Sequence, residues 1–285
     1  MAEGQTAFVT CFRGVACNHR GMKSLTSLLT NQEGSISRRR MLGLGAATRG
    51  TWRFGPPLFA AAAKRRVVVW SEGTAPKKVY PNDINAAIAE GLASLEGWEV
   101  ITAGLKDPDQ GVSEERLRQT DVLIWWGHQR HGDVADALVE RIYKRVHDDG
   151  MGFISLHSSH FAKPYKRLMG TRCSWREYMA DGTSVKVIVK DPSHPICKGV
   201  KDFVLPKIER YGEPFAVPEP EAVPLDGIYT KPNGQTEPGR MGLCWAVGKG
   251  RVFYFTPGHE TYDDFFRPEV RQILRNAVQW TCSRT

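Results

Sequence analysis

Short, mainly apolar runs recur along most of the chain and place the strongest limit on its fold. They occupy residues 67–70, 121–126, 152–156 and 251–255, and each is four to six residues long. They are rich in β-branched and aromatic side chains and do not alternate with polar residues. Strands of this composition are buried on both faces, as in a parallel sheet that helices cover on both sides.

Between these runs lie segments with the period of an amphipathic helix. Apolar residues recur every three or four positions over 84–95, 134–146 and 270–278, which predicts one helix in each segment. Asp83 and Pro268 are suitable residues to begin the first and the last of these helices. Strands that alternate with helices of this length predict an α/β fold, a three-layer sandwich with a mostly parallel sheet.

The chain between residues 160 and 250 follows a less regular pattern. Residues 185–189 form another strand-like run, and residues 214–224 are rich in proline and show no period. Residues 232–234 (Pro-Asn-Gly) and 248–250 (Gly-Lys-Gly) have the composition of hairpin turns. We therefore expect hairpins in this part of the chain.

The charge of the chain is concentrated near its N-terminus. The formal net charge is +8, and residues 1–64 hold nine Lys or Arg residues against two Glu residues, which is +7. The rest of the chain is therefore close to neutral, at +1. A folded domain with so little excess charge lacks the basic surface of a nucleic-acid-binding protein, so we expect no nucleic-acid partner.

Residues 1–63 are predicted to be a leader that is disordered or cleaved. The stretch Ser37–Leu42 contains three consecutive arginines and resembles a twin-arginine export signal, and residues 60–63 form an alanine run that a signal peptidase accepts. This pattern favours a periplasmic or otherwise exported protein, and a basic tail on a cytoplasmic protein is the alternative. No run of about 18 apolar residues occurs, so no membrane insertion is expected.

Three of the predicted strands are followed by histidine. His128, His157 and His259 come at or just after the ends of the second, third and fourth runs. The carboxyl ends of parallel strands meet at one edge of the sheet, where ligands of such folds bind. Imidazole is the commonest metal ligand in proteins, and three imidazoles, or two with a carboxylate, make an open zinc-type site. We therefore predict a divalent metal, most simply zinc, with three ligands: His157, His259 and His128.

Other polar residues near these strand ends could complete the metal site or serve acid–base chemistry. The carboxylate of a two-imidazole site could come from Glu72, just after the first strand, or from Glu209 or Glu213, which flank Tyr211. His160 lies three residues after His157 and shares a face with it if a helix begins there. We assign catalytic proton transfer to three residues: Glu213, His128 and His160.

A nucleophilic mechanism is the alternative at the same edge. Ser158 and Ser159 follow a strand and precede a turn, the position of a nucleophile elbow, and His259-Glu260 could supply a base and its orienting carboxylate. The segment lacks the G-x-S-x-G pattern, however, and a serine at such a turn is also a good helix cap. The metal site is therefore the leading hypothesis.

Together these segments resemble the ThuA-like (trehalose-utilisation) family, which is related in fold to the class I glutamine amidotransferases. The resemblance covers nearly all of residues 65–282 and rests on six stretches: Val67–Trp70, Trp125–His128, Leu156–Phe161, Lys166–Gly170, Tyr211–Glu213 and Phe255–Tyr262. It implies one domain over residues 64–285 with a flavodoxin-like, amidotransferase-like fold. His157 stands where the amidotransferases carry their catalytic cysteine, so glutamine hydrolysis by a thiolate is not expected.

The resemblance also implies a small carbohydrate substrate, because the family is linked to disaccharide and keto-sugar metabolism. With the predicted metal site, it suggests a metal-dependent enzyme that acts on such a sugar by hydrolysis, isomerisation or elimination. A non-catalytic sugar-binding or accessory protein on the same fold is the alternative. Where the family motif usually reads Ser-Gly-His, this chain has Ser158-Ser159-His160, which removes the residue best suited to a left-handed turn.

Overall fold

The computed structural model describes residues 64–282 of the chain. The leader predicted over residues 1–63, with its export signal at Ser37–Leu42, lies outside the described residues. Within them, the predicted fold class is confirmed: a central sheet carries helices on both of its faces. No helix of the described range is long and apolar enough to cross a membrane.

The strands and α-helices of the described range have the following bounds. The strands are β1 (Arg65–Ser71), β2 (Trp98–Gly104), β3 (Val122–Trp126), β4 (Gly152–Leu156), β5 (Trp175–Met179), β6 (Ser184–Val189), β7 (Phe203–Leu205), β8 (Arg210–Phe215), β9 (Ala222–Thr230), β10 (Thr236–Val247) and β11 (Gly250–Phe255). The helices are α1 (Asp83–Leu92), α2 (Glu114–Arg118), α3 (Asp136–His147), α4 (Lys163–Met169) and α5 (Pro268–Cys282).

The nine-stranded main sheet has a parallel half and an antiparallel half. Strands β2, β1, β3, β4 and β11 lie side by side in that order, and their pairings are parallel. Strands β10, β9, β6 and β7 continue the sheet through antiparallel pairings. The turns predicted at residues 232–234 and 248–250 are confirmed, since they join β9 to β10 and β10 to β11.

Two apolar cores fill the spaces on either side of the parallel half. On one face, α1 and α5 contribute Ile88 and Ile273, and on the other, α3 contributes Ile142. Trp125 and Trp126 are neighbours on β3 and enter opposite cores, both fully buried. Burial on both faces explains why the strands of this half are continuous apolar runs.

Strands β5 and β8 form a separate antiparallel pair that the sequence pattern does not reveal. Among the six residues of β8, only Tyr211 and Phe215 carry large apolar side chains, so no alternation marks it as a strand. Its start brings Tyr211 and the preceding Glu209 to the sheet edge where β4 ends, within 3.0 Å of the His157 ring.

Candidate active site

Three neighbouring strands of the parallel half end together at one place on the sheet edge. The last residues of β3, β4 and β11 are in register with one another. The ring centroids of His128 and His157 are 6.0 Å apart, and the centroid of the His259 ring lies 5.1 Å from the first and 5.3 Å from the second. The structure therefore brings together the three histidines that the sequence predicts as metal ligands.

His157 has a strained backbone conformation directly after β4. Its φ is +51°, in the left-handed region that residues other than glycine rarely adopt. The hydroxyl of Tyr254 donates to the His157 carbonyl at 2.9 Å, and the ring Nδ1–H donates to the carbonyl of Thr256 at 2.9 Å. Because a carbonyl oxygen only accepts, Nδ1 carries a proton, and the second ring nitrogen, Nε2, faces the site. The residue with the left-handed backbone is thus His157 and not Ser159. This turn therefore does not need the glycine that the family motif usually has at position 159.

Glu209 faces the Nε2 side of the His157 ring. Its Oε2 lies 3.0 Å from Nε2 of His157 and 4.0 Å from Nε2 of His259, and the Tyr211 hydroxyl donates to the same oxygen at 3.0 Å. Burial raises the pKa of the Glu209 carboxyl, but the hydrogen bond and charge of His157 and the charge of His259 outweigh it and lower the pKa to about 2. Glu209 is thus an anion at neutral pH.

Glu72 and Ser159 hold the loop that carries His128. The buried Glu72 carboxylate accepts the backbone N–H groups of the two residues after His128, at 2.6 and 3.0 Å. The Ser159 hydroxyl oxygen accepts the backbone N–H of Gly127, the residue before His128, at 2.7 Å. The side chain of Glu72 thus positions the loop, and among the described residues its oxygens are not part of a cluster of three possible metal-ligand atoms.

His128 connects a serine hydroxyl to a buried carboxylate. Its Nδ1 is hydrogen-bonded to Oγ of Ser158, and its Nε2 lies 3.4 Å from Oε1 of Glu260. The other carboxylate oxygen of Glu260, Oε2, is buried and has no hydrogen-bond partner. A buried oxygen of this kind is costly unless something pairs with it, so it marks a place where an ion, water or substrate hydroxyl belongs.

The turn before His259 requires glycine. Gly258 has a φ of +122°, and a Cβ at this position would lie 2.4 Å from the ring of Phe265. After the turn, Nδ1 of His259 accepts the backbone N–H of Thr261 at 3.2 Å. Burial and the neighbouring charge of His157 lower the pKa of His259 to about 4, so its ring is neutral at pH 7.

Two groups of three side chains at this edge have the composition of a metal site. In the first group, the ligand atoms of His128, His157 and Glu209 all lie within 4.8 Å of one another. In the second, His128, His259 and Glu260 meet the same limit. Both groups combine two imidazoles with one carboxylate, a donor set found in catalytic zinc sites that keep an open position.

Glu213, predicted to transfer protons in the site, is engaged elsewhere. Both of its carboxylate oxygens accept from the Arg240 guanidinium of β10, at 2.8 and 2.9 Å. It lines a different groove of the surface, together with Asp226 and Ile228. Because a bidentate guanidinium already satisfies both oxygens, the structure does not support a catalytic role for Glu213.

His160, also predicted to be catalytic, lies within a layer of aromatic side chains. Its ring stacks on Tyr178 at a centroid distance of 5.6 Å, and the ring centroid of Phe161 is 4.1 Å away. Its Nδ1–H donates to the carbonyl of Cys173 at 2.7 Å. Burial lowers the pKa of His160 to about 3. These contacts give His160 a packing role, and it belongs to neither metal-ligand group.

Tyr211 is a site residue to which the sequence pattern assigns no role, although it lies in one of the stretches that carry the family resemblance. Its hydroxyl lies 3.0 Å from Nε2 of His157 and 3.1 Å from Oγ of Ser158, and it donates to Glu209. No periodic signal marks β8, so nothing in the sequence places this tyrosine beside β4. The position of Glu260, directly after His259 at a strand end, does indicate a site residue. The sequence analysis, however, gives it a role only in the serine mechanism.

Comparisons with known proteins agree with this architecture. The family described as ThuA, trehalose utilisation, matches residues 66–281. Among solved structures, a ThuA-like protein from Bacteroides uniformis aligns with a TM-score of 0.55 and 18% identity, covering 80% of this chain and 95% of that one. A ThuA-like protein from Parabacteroides merdae aligns with a TM-score of 0.54 and 13% identity, covering 77% of this chain and 90% of that one. A cytoplasmic protein from Salmonella typhimurium aligns with a TM-score of 0.53 and 11% identity, covering 76% of this chain and 99% of that one. At these identities the likeness concerns the fold alone. No curated protein matches the chain.

Proposed function

Since the chain belongs to the ThuA (trehalose utilisation) family, we propose that it is a metal-dependent enzyme that acts on a disaccharide or a keto-sugar. Family membership supports the relation to carbohydrates. One observation supports the metal: the ligand atoms of His128, His157 and Glu209 lie within 4.8 Å of one another at the carboxyl edge of the sheet. The reaction is a hydrolysis, an isomerisation or an elimination, all of which a Lewis acid assists.

The group formed by His128, His157 and Glu209 suits a metal better than the second group. The Nδ1–H of His157 donates to a backbone carbonyl, the kind of bond that fixes the tautomer and direction of metal-binding histidines. Tyr211 donates to Glu209 and orients its carboxylate in the same way. The low pKa of Glu209 means that this ligand needs no deprotonation at neutral pH.

A divalent ion such as zinc, when bound by these three residues, supplies Lewis acidity toward a sugar carbonyl or hydroxyl. The remaining residues of the site serve proton transfer. Glu260 lies beside His128 and keeps one buried carboxylate oxygen without a hydrogen-bond partner, so it is positioned to accept a proton from a sugar hydroxyl and to return it. His259 is neutral at pH 7 and can hold a substrate hydroxyl by a hydrogen bond. In this proposal Glu260 takes the acid–base role that the sequence assigns to Glu213.

Metal analysis combined with a substrate screen tests this proposal. Protein purified without chelator is expected to contain about one divalent ion per chain. Mass spectrometry of incubations with disaccharides and their keto derivatives is expected to show product, and the product should disappear when the metal is removed. A sugar-dependent rise in melting temperature without product would indicate the non-catalytic sugar-binding protein instead. Protein without metal and without product would refute the enzyme.

A second candidate function uses Ser158 as a nucleophile, and one arrangement favours it. Because a carboxylate only accepts, Nε2–H of His128 points to Glu260 and Nδ1 is left to accept the Ser158 proton. The base in this arrangement is His128, whereas the sequence suggested His259. The metal-dependent and the serine mechanisms exclude each other at His128. A neutral imidazole has a single lone pair, which can bind the metal ion or accept the Ser158 proton but not both.

Labelling with a fluorophosphonate distinguishes the two candidates. A serine nucleophile is expected to react in protein stripped of metal, and the label should vanish in Ser158→Ala. Ser159→Ala is the matched control, because the Ser159 hydroxyl bonds to the backbone of Gly127 and should not be the labelled group. Absence of label, together with activity that chelator abolishes and zinc restores, would rule out the serine mechanism.

A further inference from the structure

A cavity of about 450 Å³ opens at the same sheet edge as the candidate active site. Three loops line it, with residues 78–79 following β1, residues 206–207 preceding β8, and residues 261–264 and 267 following β11. This volume falls in the range of about 300–1,000 Å³ that is typical of small-molecule sites. We call it the loop cavity.

Two of these loops also carry residues of the active site. Lys207 lies two residues before Glu209, and Thr261 lies two residues after His259. Oγ1 of Thr261 is 2.8 Å from Nδ1 of His259, and the ring centroid of Tyr262 is 5.2 Å from that of His259. Two residues that line the loop cavity, Thr261 and Tyr262, are therefore in contact with the ring of His259.

The charges that line the loop cavity are unbalanced. Asp263 and Asp264 face Arg267, with oxygen–nitrogen distances of 3.1 and 4.0 Å. Lys78 and Lys207 are both exposed, and neither forms an ion pair or hydrogen bond with any residue of the described range. Two ammonium groups thus remain without an acidic partner at the rim of a cavity that adjoins the active site.

We propose that the loop cavity binds an anionic group, a phosphate or a carboxylate, that the sugar substrate carries. Lys78 and Lys207 pair with its charge, and the hydroxyl group of Tyr262 offers a hydrogen bond to one of its oxygens. A neutral sugar leaves both ammonium groups unpaired, so the site selects phosphorylated or acidic sugars over neutral ones. The sugar part of this ligand rests on the proposed function, whereas the anion site does not.

Titration calorimetry with the full chain tests the anion site, using glucose, glucose 6-phosphate, glucuronate and inorganic phosphate as probes at low ionic strength. Wild-type protein is expected to bind an anionic sugar about tenfold more tightly than glucose, the scale of two partly exposed charge pairs. This advantage should disappear in the double variant Lys78→Met/Lys207→Met and shrink in 0.5 M salt, where exposed charges are screened. Lys77→Met/Lys201→Met changes two exposed lysines outside the cavity and should behave like wild type.

The outcomes separate this inference from the proposed function. Inorganic phosphate bound by wild type but not by the Lys78→Met/Lys207→Met variant supports the anion site even if the protein contains no metal and turns over no sugar. A preference for glucose 6-phosphate over glucuronate indicates a phosphate ligand, and the reverse order indicates a carboxylate. Equal affinity for glucose and both anionic sugars, or anion binding that survives in a double variant with an unchanged circular dichroism spectrum, overturns the inference.

Discussion

His157 and His160 lie on the same short turn after β4, and both are almost fully buried. Each donates Nδ1–H to a backbone carbonyl, of Thr256 and of Cys173. The other side of the ring differs: Nε2 of His157 meets the carboxylate of Glu209 at 3.0 Å, whereas the His160 ring packs among aromatic side chains. The same residue type in one turn can therefore bind a ligand or fill a core, depending on what distant segments place against it.

The difference between these two histidines is electrostatic. Among aromatic rings, burial lowers the pKa of His160 to about 3, so this imidazole stays neutral. Beside His157, the hydrogen bond to the ring helps to lower the pKa of Glu209 to about 2, despite the burial of the carboxyl. An anion next to an imidazole attracts a cation, whereas burial without a counter-charge disfavours one. The first environment is suited to a metal and the second only to packing.

The largest effect should come from replacing His157 by asparagine. Asparagine tolerates a left-handed backbone, and its amide can still donate toward the Thr256 carbonyl, but no nitrogen remains to face Glu209. We expect the His157→Asn variant to lose its bound ion and at least about 100-fold in product formation, the upper end of losses seen when residues behind a metal ligand are changed. Elemental analysis and the product assay measure both. Unchanged metal content in this variant would remove His157 from the site.

The same substitution at His160 should have the opposite result. His160→Asn keeps an amide to donate to Cys173 but empties part of the aromatic layer, so the free energy of unfolding should fall by about 2–3 kcal/mol. Metal content should stay at the wild-type level. Urea denaturation and elemental analysis check the two statements. Loss of the ion without loss of stability would place His160 in the site after all.

Acid should destabilise the fold partly through His160. Its pKa is about 3 in the folded protein and near 6.5 in the unfolded chain. Between these values the unfolded chain binds a proton that the folded protein does not, so the free energy of unfolding falls as the pH drops below 6.5, by about 1.4 kcal/mol per pH unit for this group. From pH 6.5 to pH 5 the imidazole of the unfolded chain goes from half to almost fully protonated, so urea denaturation should show a loss about 1.6 kcal/mol smaller in His160→Asn than in wild type. Equal losses would show that burial does not keep this ring neutral.

The smallest effect is expected at Glu213, one of the two carboxylates that flank Tyr211. Glu213→Gln should leave metal content unchanged and alter the free energy of unfolding by no more than about 1 kcal/mol, because its partner Arg240 is partly exposed. Glu209→Gln, the matched substitution, should lose the ion. Metal titration of both variants tests this contrast. Similar affinities in the two variants would mean that Glu209 is not a ligand.

Much of the parallel half of the fold could be predicted from the sequence. Residues 121–126 and 152–156 are continuous apolar runs because β3 and β4 are buried on both faces, and few other environments favour such short apolar runs. The antiparallel half could not be predicted in full. Strand β10 contains Pro238, Gly239 and Arg240 and exposes part of one face, so neither continuous apolarity nor strict alternation identifies it.

The histidines of the site could be predicted from the sequence, but the roles of the carboxylates could not. The histidines follow strands of one parallel sheet, so topology alone brings them to one edge. Glu209 and Glu213 lie four residues apart in the same segment, and what separates their roles is Arg240 on β10, a contact across 27 positions of sequence. Local sequence carries no information on such a partner, which is why it favours Glu213 for the role that Glu260 fits better.

The most direct test is diffraction at the zinc absorption edge, on crystals of protein purified without chelator. One anomalous peak is expected for each chain, about 2.0–2.2 Å from Nε2 of His157 and from a carboxylate oxygen of Glu209, with His128 as the third ligand. No peak at this edge of the sheet, or a peak that contacts none of these three side chains, would contradict the metal site.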